Sequence, residues 1–421
     1  MLTDATLTVD VERLTFGFDA LAHHDGQVVF VPYGAPGDRV AAEVVERGSD
    51  YVRARPLAVL AAGSDRVLPG CRYFPTCGGC QWQHVRPPAQ RAAKATIVAE
   101  QLARIGGVRD ADVLPPLAAP EDWQYRDRIT LIVEGRRAGY HRARTHVLLP
   151  IEDCPIAAPV VSAHVPAARA WVKTLRAPLE RVTIAAAPGG VALTAIAGAR
   201  PSPADVAASE TFLARHASVR GLVLTGGGER IVVGDPTLRL EPEPGLALEV
   251  PADVFTQVNA AANRLLVETV LRFGAFAAGE RVLDLYCGAG NLSLPVARRA
   301  AVVHGIERSD VAVDAARANA ERLGLRDASF THDRVARALR RATPPVDAVI
   351  LDPPRAGAAD AIDAMAALRP SRILYIACDP ATFARDVRTM GTHGYRLGRV
   401  QPIDLFPQTY HIETAAELRL T

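Results

Sequence analysis

The sequence predicts an α/β protein in which a small β-barrel precedes a doubly wound, mainly parallel sheet. From about residue 255 onward, short β-branched runs alternate with helical stretches, which is the pattern of a parallel sheet covered by helices. Residues 6–60 instead contain short strand-like runs separated by turn sequences. A chain of 421 residues can hold two or three domains with separate cores. We therefore predict domains at 1–62, 63–250 and 251–421.

The predicted barrel rests on three strand-like runs at Leu7–Val11, Gln27–Val31 and Arg39–Val45. Each run alternates apolar and polar residues or is rich in β-branched residues, as half-buried strands are. Asp25-Gly26 is a hairpin turn sequence, and the glycines and prolines of 32–37 are typical of a loop.

Three cysteines lie within ten residues, in the order Cys71-x5-Cys77-x2-Cys80, and Cys154 follows at a distance. Four thiolates in this pattern can hold a metal ion or an iron–sulfur cluster. Disulfides or buried free thiols are the alternative. Residues 1–20 lack the apolar stretch of a secretory signal, and without an oxidising compartment metal binding is favoured. The spacing alone leaves both zinc and iron open.

The predicted central domain mixes helices and strands. A helical pattern over 87–105 ends at Gly106-Gly107, and we expect this helix to pack against the catalytic domain. Apolar runs at Ile129–Val133 and Gly221–Thr225 predict strands, and the alanine-rich stretch 157–176 predicts helices.

The C-terminal domain shows the most regular alternation. The expected helices are 260–273, 292–299, 310–323 and 359–368, and the expected strands are 281–285, 302–306, 348–351 and 372–376. Ligands of such sheets bind beyond the carboxyl ends of the strands, so polar residues at these ends are candidate site residues.

The first candidate is the glycine-rich turn from Asp284 to Asn291, which follows a predicted strand. Its glycines allow a cofactor to lie against the backbone. Glu307 ends the next strand, where a carboxylate can accept hydrogen bonds from both ribose hydroxyls. The turn lacks the third glycine of a dinucleotide fingerprint, which favours S-adenosylmethionine over NAD. A tight turn with a solvated glutamate is the alternative, and Cys287 is interpreted as a packed residue.

Three further strand ends or loops carry reactive groups. Asp352 begins a rigid Asp-Pro-Pro loop, Cys378 follows the strand 372–376, and Glu413 and His411 lie in the late segment Leu405–Glu413. A cysteine at a strand end can act as a nucleophile, and a nearby carboxylate or imidazole can act as a base. Each also has an ordinary structural interpretation: a loop, a buried thiol or a solvated carboxylate.

Charge and hydropathy restrict the class of protein. The formal net charge is only +2, but residues 66–145 contain thirteen basic and seven acidic side chains, a local net of +6 that can face phosphates. Because the chain has only two lysines, an arginine-rich solvated face is the alternative. No apolar run approaches the roughly 20 residues of a membrane helix. We therefore expect a soluble, cytoplasmic protein, most simply a monomer.

Taken together, these motifs resemble those of the bacterial RNA 5-methyluridine methyltransferases over nearly the whole chain. The shared motifs are the four cysteines, Phe255-x-Gln257-x-Asn259, the turn 284–291, Asp352-Pro-Pro-Arg355, Cys378–Asp386, and Phe406-Pro-Gln-Thr-x-His411-x-Glu413. The N-terminal strands resemble the TRAM barrel, an OB-like RNA-binding module. The resemblance therefore implies a Rossmann-like methyltransferase domain, a TRAM barrel and a central α/β iron–sulfur domain.

The resemblance implies a covalent mechanism. The Cys378 thiolate adds to C6 of a uracil, C5 then takes the methyl group of S-adenosylmethionine, and Glu413 removes the C5 proton before Cys378 is released. The base must be flipped out of its stack. The implied cofactor-binding residues are Gln257, Tyr286, Gly288, Gly290, Asn291, Glu307, Asp333 and Asp352. The implied ligands of a 4Fe–4S cluster are Cys71, Cys77, Cys80 and Cys154.

The target RNA and two rival functions remain open. The likeness to the ribosomal-RNA branch is stronger, because the transfer-RNA branch usually lacks both barrel and cluster; 23S rRNA is the expected target and tRNA the alternative. A non-catalytic RNA-binding protein would not need Cys378 and Glu413. A DNA or small-molecule methyltransferase would not need the barrel and the cysteines. One departure from the family is Asp379, where many relatives carry Asn.

Overall fold

The computed structural model describes residues 6–299, 301–343 and 345–421. The first five residues of the predicted barrel domain therefore lie outside the described part. The chain forms a closed barrel, a central seven-stranded sheet, a two-stranded hairpin and a large C-terminal sheet, in that order. Among the described residues, every helix is too short or too polar to span a membrane.

The N-terminal barrel is confirmed. Its strands pair in the order β1-β2-β3-β5-β4, and β1 also pairs with β4, which closes the barrel. The inward-facing residues alternate along the strands, as in β1, where Val9 and Val11 are buried and their neighbours are exposed. Asp25 and Gly26 both have positive φ, as a two-residue hairpin turn requires. The strands are β1 (Thr6–Leu14), β2 (Asp19–His24), β3 (Gln27–Pro32), β4 (Arg39–Arg47) and β5 (Tyr51–Ala61).

A long helix follows the cysteine-rich loop. Helix α1 (Pro87–Gln101) begins with two prolines and continues into a π-helical turn at Leu102–Gly106, which ends at Gly107 with φ +73°. Ile97 and Val98 belong to the same apolar core as barrel residues and as residues of the C-terminal domain. This helix therefore joins the barrel to the C-terminal domain.

The central sheet is mainly antiparallel and has the order β10-β9-β8-β11-β12-β13-β14. Helices α2 (Pro159–Ala163), α3 (Val165–Thr174) and α4 (Pro203–Arg215) accompany it, and Trp171 of α3 is fully buried. The hairpin β15-β16 leads to the C-terminal domain. The strands are β8 (Arg128–Glu134), β9 (Arg137–His141), β10 (Leu148–Pro150), β11 (Leu179–Ala187), β12 (Gly190–Ala197), β13 (Val219–Gly226), β14 (Glu229–Gly234), β15 (Thr237–Glu243) and β16 (Leu246–Pro251).

The C-terminal sheet has the order β19-β18-β17-β20-β21-β23-β22-β6, and β7 also pairs with β22. The five adjacent strands β19, β18, β17, β20 and β21 are parallel, which confirms the predicted mainly parallel sheet, whereas β23 runs antiparallel to both of its neighbours, β21 and β22. The strands are β6 (Asp112–Val113), β7 (Leu117–Ala118), β17 (Arg281–Leu285), β18 (Val302–Glu307), β19 (Ala328–His332), β20 (Ala348–Leu351), β21 (Arg372–Ala377), β22 (Tyr395–Asp404) and β23 (Glu413–Leu420).

Within the described part of this domain, six helices accompany the sheet. Helix α9 is shorter than the predicted 359–368, because residues 355–361 form turns after the two prolines of the Asp352 loop. The helices are α5 (Ala260–Gly274), α6 (Ser293–Ala297), α7 (Asp310–Arg322), α8 (Val335–Leu339), α9 (Ile362–Ala367) and α10 (Pro380–Thr392).

Candidate active site

Four strand ends bring the predicted site residues to one edge of the C-terminal sheet. Leu285 pairs with Leu351, and Leu351 pairs with Tyr375, so the residues that follow β17, β20 and β21 emerge side by side. Ala377 pairs with Thr414 on the antiparallel neighbour β23. The predicted nucleophile Cys378 and the predicted base Glu413 therefore stand on adjacent strands at this edge.

The glycine-rich turn after β17 is tightly constrained. Tyr286 adopts φ +65°, Gly288 φ +54° and Gly290 φ +91°, and such values are uncommon for any residue but glycine. A Cβ atom on Gly290 would lie 2.9 Å from the Leu294 side chain, whereas a Cβ on Gly288 would meet nothing within 4 Å. The turn is thus closed on its helix side and open beside Gly288, as a backbone cradle for a cofactor must be.

Glu307 lies beside this turn. One carboxylate oxygen accepts from the Gly288 N–H at 3.2 Å, and the other accepts from the Ser309 N–H at 2.8 Å. These two bonds fix the carboxylate at the end of β18 and leave its remaining lone pairs available to a ribose. Asn291 is held by a reciprocal amide pair with Asn263, at 2.8 and 2.9 Å. Sequence reasoning did not identify Asn263, which no motif marks.

The remaining predicted cofactor-binding residues differ in how free their side chains are to contact a ligand. Gln257 is half-buried in the turn before α5. Asp333 is buried and donates its backbone N–H to the Glu307 carbonyl, but its carboxylate is engaged by Arg337 and Arg341. The Asp333 carboxylate is therefore less free to bind a ligand than that of Glu307.

Cys378, Asp352 and Glu413 form an electrostatically coupled group. Burial, followed by the charges of Glu413 and Asp352, raises the pKa of the Cys378 thiol to about 12. Burial raises the pKa of Asp352 to about 7. Burial and the charge of Asp352 raise the pKa of Glu413 well above its usual value. A buried carboxyl group whose pKa is raised by burial and by a neighbouring carboxylate holds its proton more readily than an exposed one, which suits acid–base chemistry.

Arg355 is the cation of this group. Its charge opposes the rise in pKa at both Cys378 and Glu413. One of its guanidinium nitrogens lies 3.4 Å from each ring nitrogen of His411. Burial and the neighbouring cations lower the pKa of His411 to about 3, so the imidazole is neutral. The sequence placed Arg355 in a motif but did not predict this contact, which needs two segments 56 residues apart.

Asp379 acts as a helix cap. Its carboxylate accepts hydrogen bonds from the backbone N–H groups of Ala381 and Thr382, at 3.0 and 2.9 Å, at the first turn of α10. Asp and Asn are equally good N-cap residues. The structure therefore accounts for Asp379 through the helix that directly follows Cys378.

The four clustered cysteines of the central domain border one cavity. Burial, and secondarily the neighbouring thiols, raise the pKa of Cys77 to about 11 and that of Cys80 to about 12. Gly78 donates its N–H to the His141 carbonyl at 2.9 Å, and a Cβ there would lie 3.1 Å from the same oxygen. A side chain at position 78 would therefore press on the loop that carries Cys77.

Arg126 also borders the cysteine cavity, and its buried Nε has no hydrogen-bond partner among the described residues. A buried, unpaired guanidinium N–H beside four thiols suits an anionic group in that cavity. Within residues 6–299, 301–343 and 345–421, however, no three His, Cys, Asp or Glu side chains are arranged as a metal-ion site. The four thiols that line the cavity are nevertheless a donor set that suits a thiolate-ligated group.

Aromatic side chains connect the barrel with the active-site edge. Phe16 and Phe18, in the turn between β1 and β2, lie 5.2 and 6.2 Å from the ring of Tyr410. Tyr410 lies 4.5 Å from the His411 ring, and the Arg144 guanidinium lies over Phe18. All four aromatic residues are half-buried. A half-exposed aromatic and cationic surface thus leads from the barrel to Glu413.

Comparison with known proteins supports this arrangement. Residues 242–420 match the tRNA (Uracil-5-)-methyltransferase family, and residues 4–57 match the TRAM domain. The 23S rRNA (uracil(1939)-C(5))-methyltransferase RlmD of Thiobacillus denitrificans is 36% identical and is aligned over 97% of this chain and 98% of its own. The enzyme of the same name from Alkalilimnicola ehrlichii is also 36% identical, over 94% and 92%.

A solved structure shares the fold of the whole chain. The tRNA (uracil-54, C5)-methyltransferase of Pyrococcus abyssi, in complex with S-adenosyl-L-homocysteine, superposes with a TM-score of 0.72 at 23% identity and covers 98% of this chain and 100% of that one. With relatives aligned from end to end, the chain belongs to the family of RNA uracil-C5 methyltransferases that carry an N-terminal TRAM domain.

Proposed function

We propose that this enzyme forms 5-methyluridine in 23S rRNA, with Cys378 as nucleophile and Glu413 as base. The observation that carries the proposal is the juxtaposition of a thiol and a buried carboxyl at the sheet edge, beside a glycine turn open at Gly288. C5 of uracil is a poor nucleophile, and addition of a thiolate to C6 makes it an enolate carbon. That chemistry needs a nucleophile and a base on the same pocket wall.

Cys378, Glu413 and Arg355 have different proposed roles in the reaction. The Cys378 thiol gives its proton to solvent, and the thiolate bonds to C6 while the C5–C6 double-bond electrons move into an enolate of the uracil ring. After C5 has been methylated, the ionised Glu413 carboxylate accepts the C5 proton, the electron pair of that bond re-forms the C5–C6 double bond, and the C6–sulfur bond breaks to release the Cys378 thiolate. S-adenosylmethionine supplies an electrophilic methyl group. The Arg355 charge favours both the thiolate and the ionised carboxylate. The residues proposed to bind the cofactor are Gln257, Tyr286, Gly288, Gly290, Asn291, Glu307, Asp352 and, through its backbone, Asp333.

The choice of 23S rRNA rests on the relatives that align from end to end, two of which are named for that target. We accordingly place the enzyme in the cytoplasm, acting as a monomer. The test is incubation of the purified enzyme and methyl-labelled S-adenosylmethionine with 23S rRNA and, separately, with tRNA, both lacking 5-methyluridine. We expect label at one uridine of 23S rRNA. Preferential labelling of tRNA would contradict the proposed target and would mean that the enzyme methylates tRNA.

We further propose that Cys71, Cys77, Cys80 and Cys154 hold a 4Fe–4S cluster. The shared cavity and the unpaired Arg126 Nε beside it support this, because an N–H donor stabilises the negative charge of cluster sulfurs. Methyl transfer needs no electrons. The cluster's role is therefore to fix the loop 71–80 against Cys154, which closes a cross-link within the central domain.

The cluster assignment predicts a coloured protein. Purified without oxygen, the enzyme should be brown, with broad visible absorbance from thiolate-to-iron charge transfer and about four iron atoms per chain. Cys154→Ser should lose most of this absorbance. The control is Cys287→Ser, which changes a buried cysteine of the C-terminal domain and should retain the absorbance. Stoichiometric zinc without iron in the anaerobic preparation would contradict the assignment.

The aromatic surface between barrel and active site predicts a separate RNA-binding effect. Phe18→Ala should weaken RNA binding about 5- to 150-fold and leave S-adenosylmethionine binding unchanged, because stacking of a base on an aromatic ring contributes about 1–3 kcal/mol. Phe30→Ala is the control, since Phe30 is also a half-buried barrel aromatic with an arginine over its ring, but it lies in another cluster. Equal loss of RNA affinity in both variants would argue against a specific role for Phe18.

A further inference from the structure

The segment between β22 and β23, residues 405–412, forms no helix or strand, yet several of its residues are buried. Buried backbone groups must find hydrogen-bond partners. Here three consecutive carbonyl groups accept bonds from the part of the chain that precedes the catalytic domain. The bonds run from Lys94 Nζ to Phe406 O at 2.9 Å, from Tyr125 OH to Pro407 O at 2.9 Å, and from the Gln81 and Trp82 N–H groups to Gln408 O at 3.2 and 3.0 Å.

Gln90 of helix α1 adds a second set of bonds to the same segment. Its side chain is fully buried. Its Oε1 accepts from the Gln408 N–H at 2.8 Å, and its Nε2 contacts the Gln408 Oε1 at 3.0 Å and the Val85 carbonyl at 2.7 Å. Gln408 has φ +68°, which a non-glycine residue adopts only when its surroundings hold it there. Gln90 binds both the backbone and the side chain of that strained residue.

Lys94 lies one helical turn after Gln90, on the same face of α1. Its side chain is 1% exposed, as is that of Asp404, and the two form an ion pair at 2.6 Å. A buried ion pair seldom adds net stability over an apolar pair of the same volume, so its value lies in fixing a geometry. The geometry fixed here is the exit of β22 into the segment that ends at Glu413.

We propose that Gln90 and Lys94 are positioning residues for methyl transfer, holding the segment 404–413 so that the Glu413 carboxyl stays opposite Cys378. The inference rests on the proposed role of Glu413. Because Gln81 and Trp82 directly follow Cys80, the same bonds connect the cysteine loop with the active site. A loosened segment would still present Cys378, which directly follows β21, but would misplace the base.

Gln90→Leu tests this proposal, since leucine is of similar size and keeps none of the hydrogen bonds. We expect kcat to fall about 10- to 100-fold, the cost of misplacing a reacting group by about 1 Å. A covalent enzyme–RNA adduct should accumulate on denaturing gels, and KM for S-adenosylmethionine should change less than about twofold. Accumulation of the adduct is the decisive measurement, because a merely structural role lowers the active fraction without stalling the reaction after the attack.

The matched control is Asn319→Leu. Asn319 is a buried amide that bonds the backbone of Glu249 at 2.9 and 2.8 Å, on the far side of the catalytic domain. The Asn319→Leu variant should have a lower melting temperature but should not accumulate the covalent enzyme–RNA adduct. Adduct in Gln90→Leu but not in Asn319→Leu supports the proposal. Reduced activity without adduct in a folded Gln90→Leu protein overturns it.

Gln408→Gly provides a second variant if Gln90→Leu does not fold. Glycine adopts positive φ without strain, and the variant loses the side-chain bonds to Gln90 while the backbone bonds remain possible. Accumulation of adduct again supports the proposal, and turnover at the wild-type rate overturns it. Glu413→Gln is measured in parallel: if it shows no adduct and turns over normally, the proposed base is wrong, and that failure is distinct from failure of the positioning role.

Discussion

Cys378→Ala is expected to abolish both methyl transfer and any covalent enzyme–RNA adduct. Strand pairing sets Cys378 beside Glu413, and without a nucleophile at C6 the C5 carbon cannot attack a methyl group. Loss of a covalent nucleophile costs several orders of magnitude, so turnover should fall more than about 10³-fold. The measurement is transfer of labelled methyl groups to RNA, together with a denaturing gel for adduct.

The control for this variant is Cys287→Ala. Cys287 is a buried cysteine of the same domain, but a Cβ on Gly305 would lie 2.7 Å from its sulfur, so the thiol packs against β18. We expect this variant to retain most of the activity. Binding of S-adenosylmethionine by Cys378→Ala at wild-type affinity would show that the protein is folded. Substantial turnover by folded Cys378→Ala would mean that the nucleophile lies elsewhere.

The fold was predictable where local sequence and tertiary structure agree. Barrel strands β1, β3 and β4 and the parallel strands β17, β18, β20 and β21 were predicted from residue periodicity, and the two-residue turn at Asp25-Gly26 was predicted from turn chemistry, whereas β2, β5 and β19 were not predicted. Strands β22 and β23 were not predicted. Their pairing joins residues near the C-terminus to each other and to β21, and no local pattern in β22, which begins Tyr-Arg-Leu-Gly-Arg, distinguishes it from a loop.

The residues of the candidate site could be predicted from sequence motifs, but their burial and their effects on one another's pKa could not. Sequence reasoning left Glu413 open as a solvated carboxylate, whereas it is 3% exposed and adjoins Asp352 and Cys378. The burial of Glu413 depends on the preceding segment 405–412. That segment is hydrogen-bonded to residues more than 280 positions earlier, such as Gln90 and Tyr125. Hydrogen bonds between residues so far apart in the sequence cannot be predicted from motif spacing. The positioning residues could therefore be identified only from the folded structure.

Glu413→Gln is expected to convert the enzyme into one that traps its RNA. The amide is isosteric with the carboxyl but cannot take a proton from C5. Attack by Cys378 and methylation of C5 remain possible, whereas release of the C6–sulfur bond requires loss of that proton. Turnover should therefore fall about 10²- to 10⁴-fold, and a denaturation-resistant protein–RNA adduct carrying the labelled methyl group should accumulate.

The strand that carries Glu413 also supplies the control for this result. Glu417→Gln removes a buried carboxylate four residues along β23, where it pairs with Arg399 at 2.9 Å, remote from the pocket. This change should lower stability without trapping RNA, since it leaves the proton acceptor intact. If Glu413→Gln turns over normally, the base lies elsewhere, and His411 is the next candidate because its lowered pKa keeps the imidazole neutral and able to accept a proton. If Glu413→Gln is slow but forms no adduct, the carboxyl acts before the attack of Cys378 and not after it.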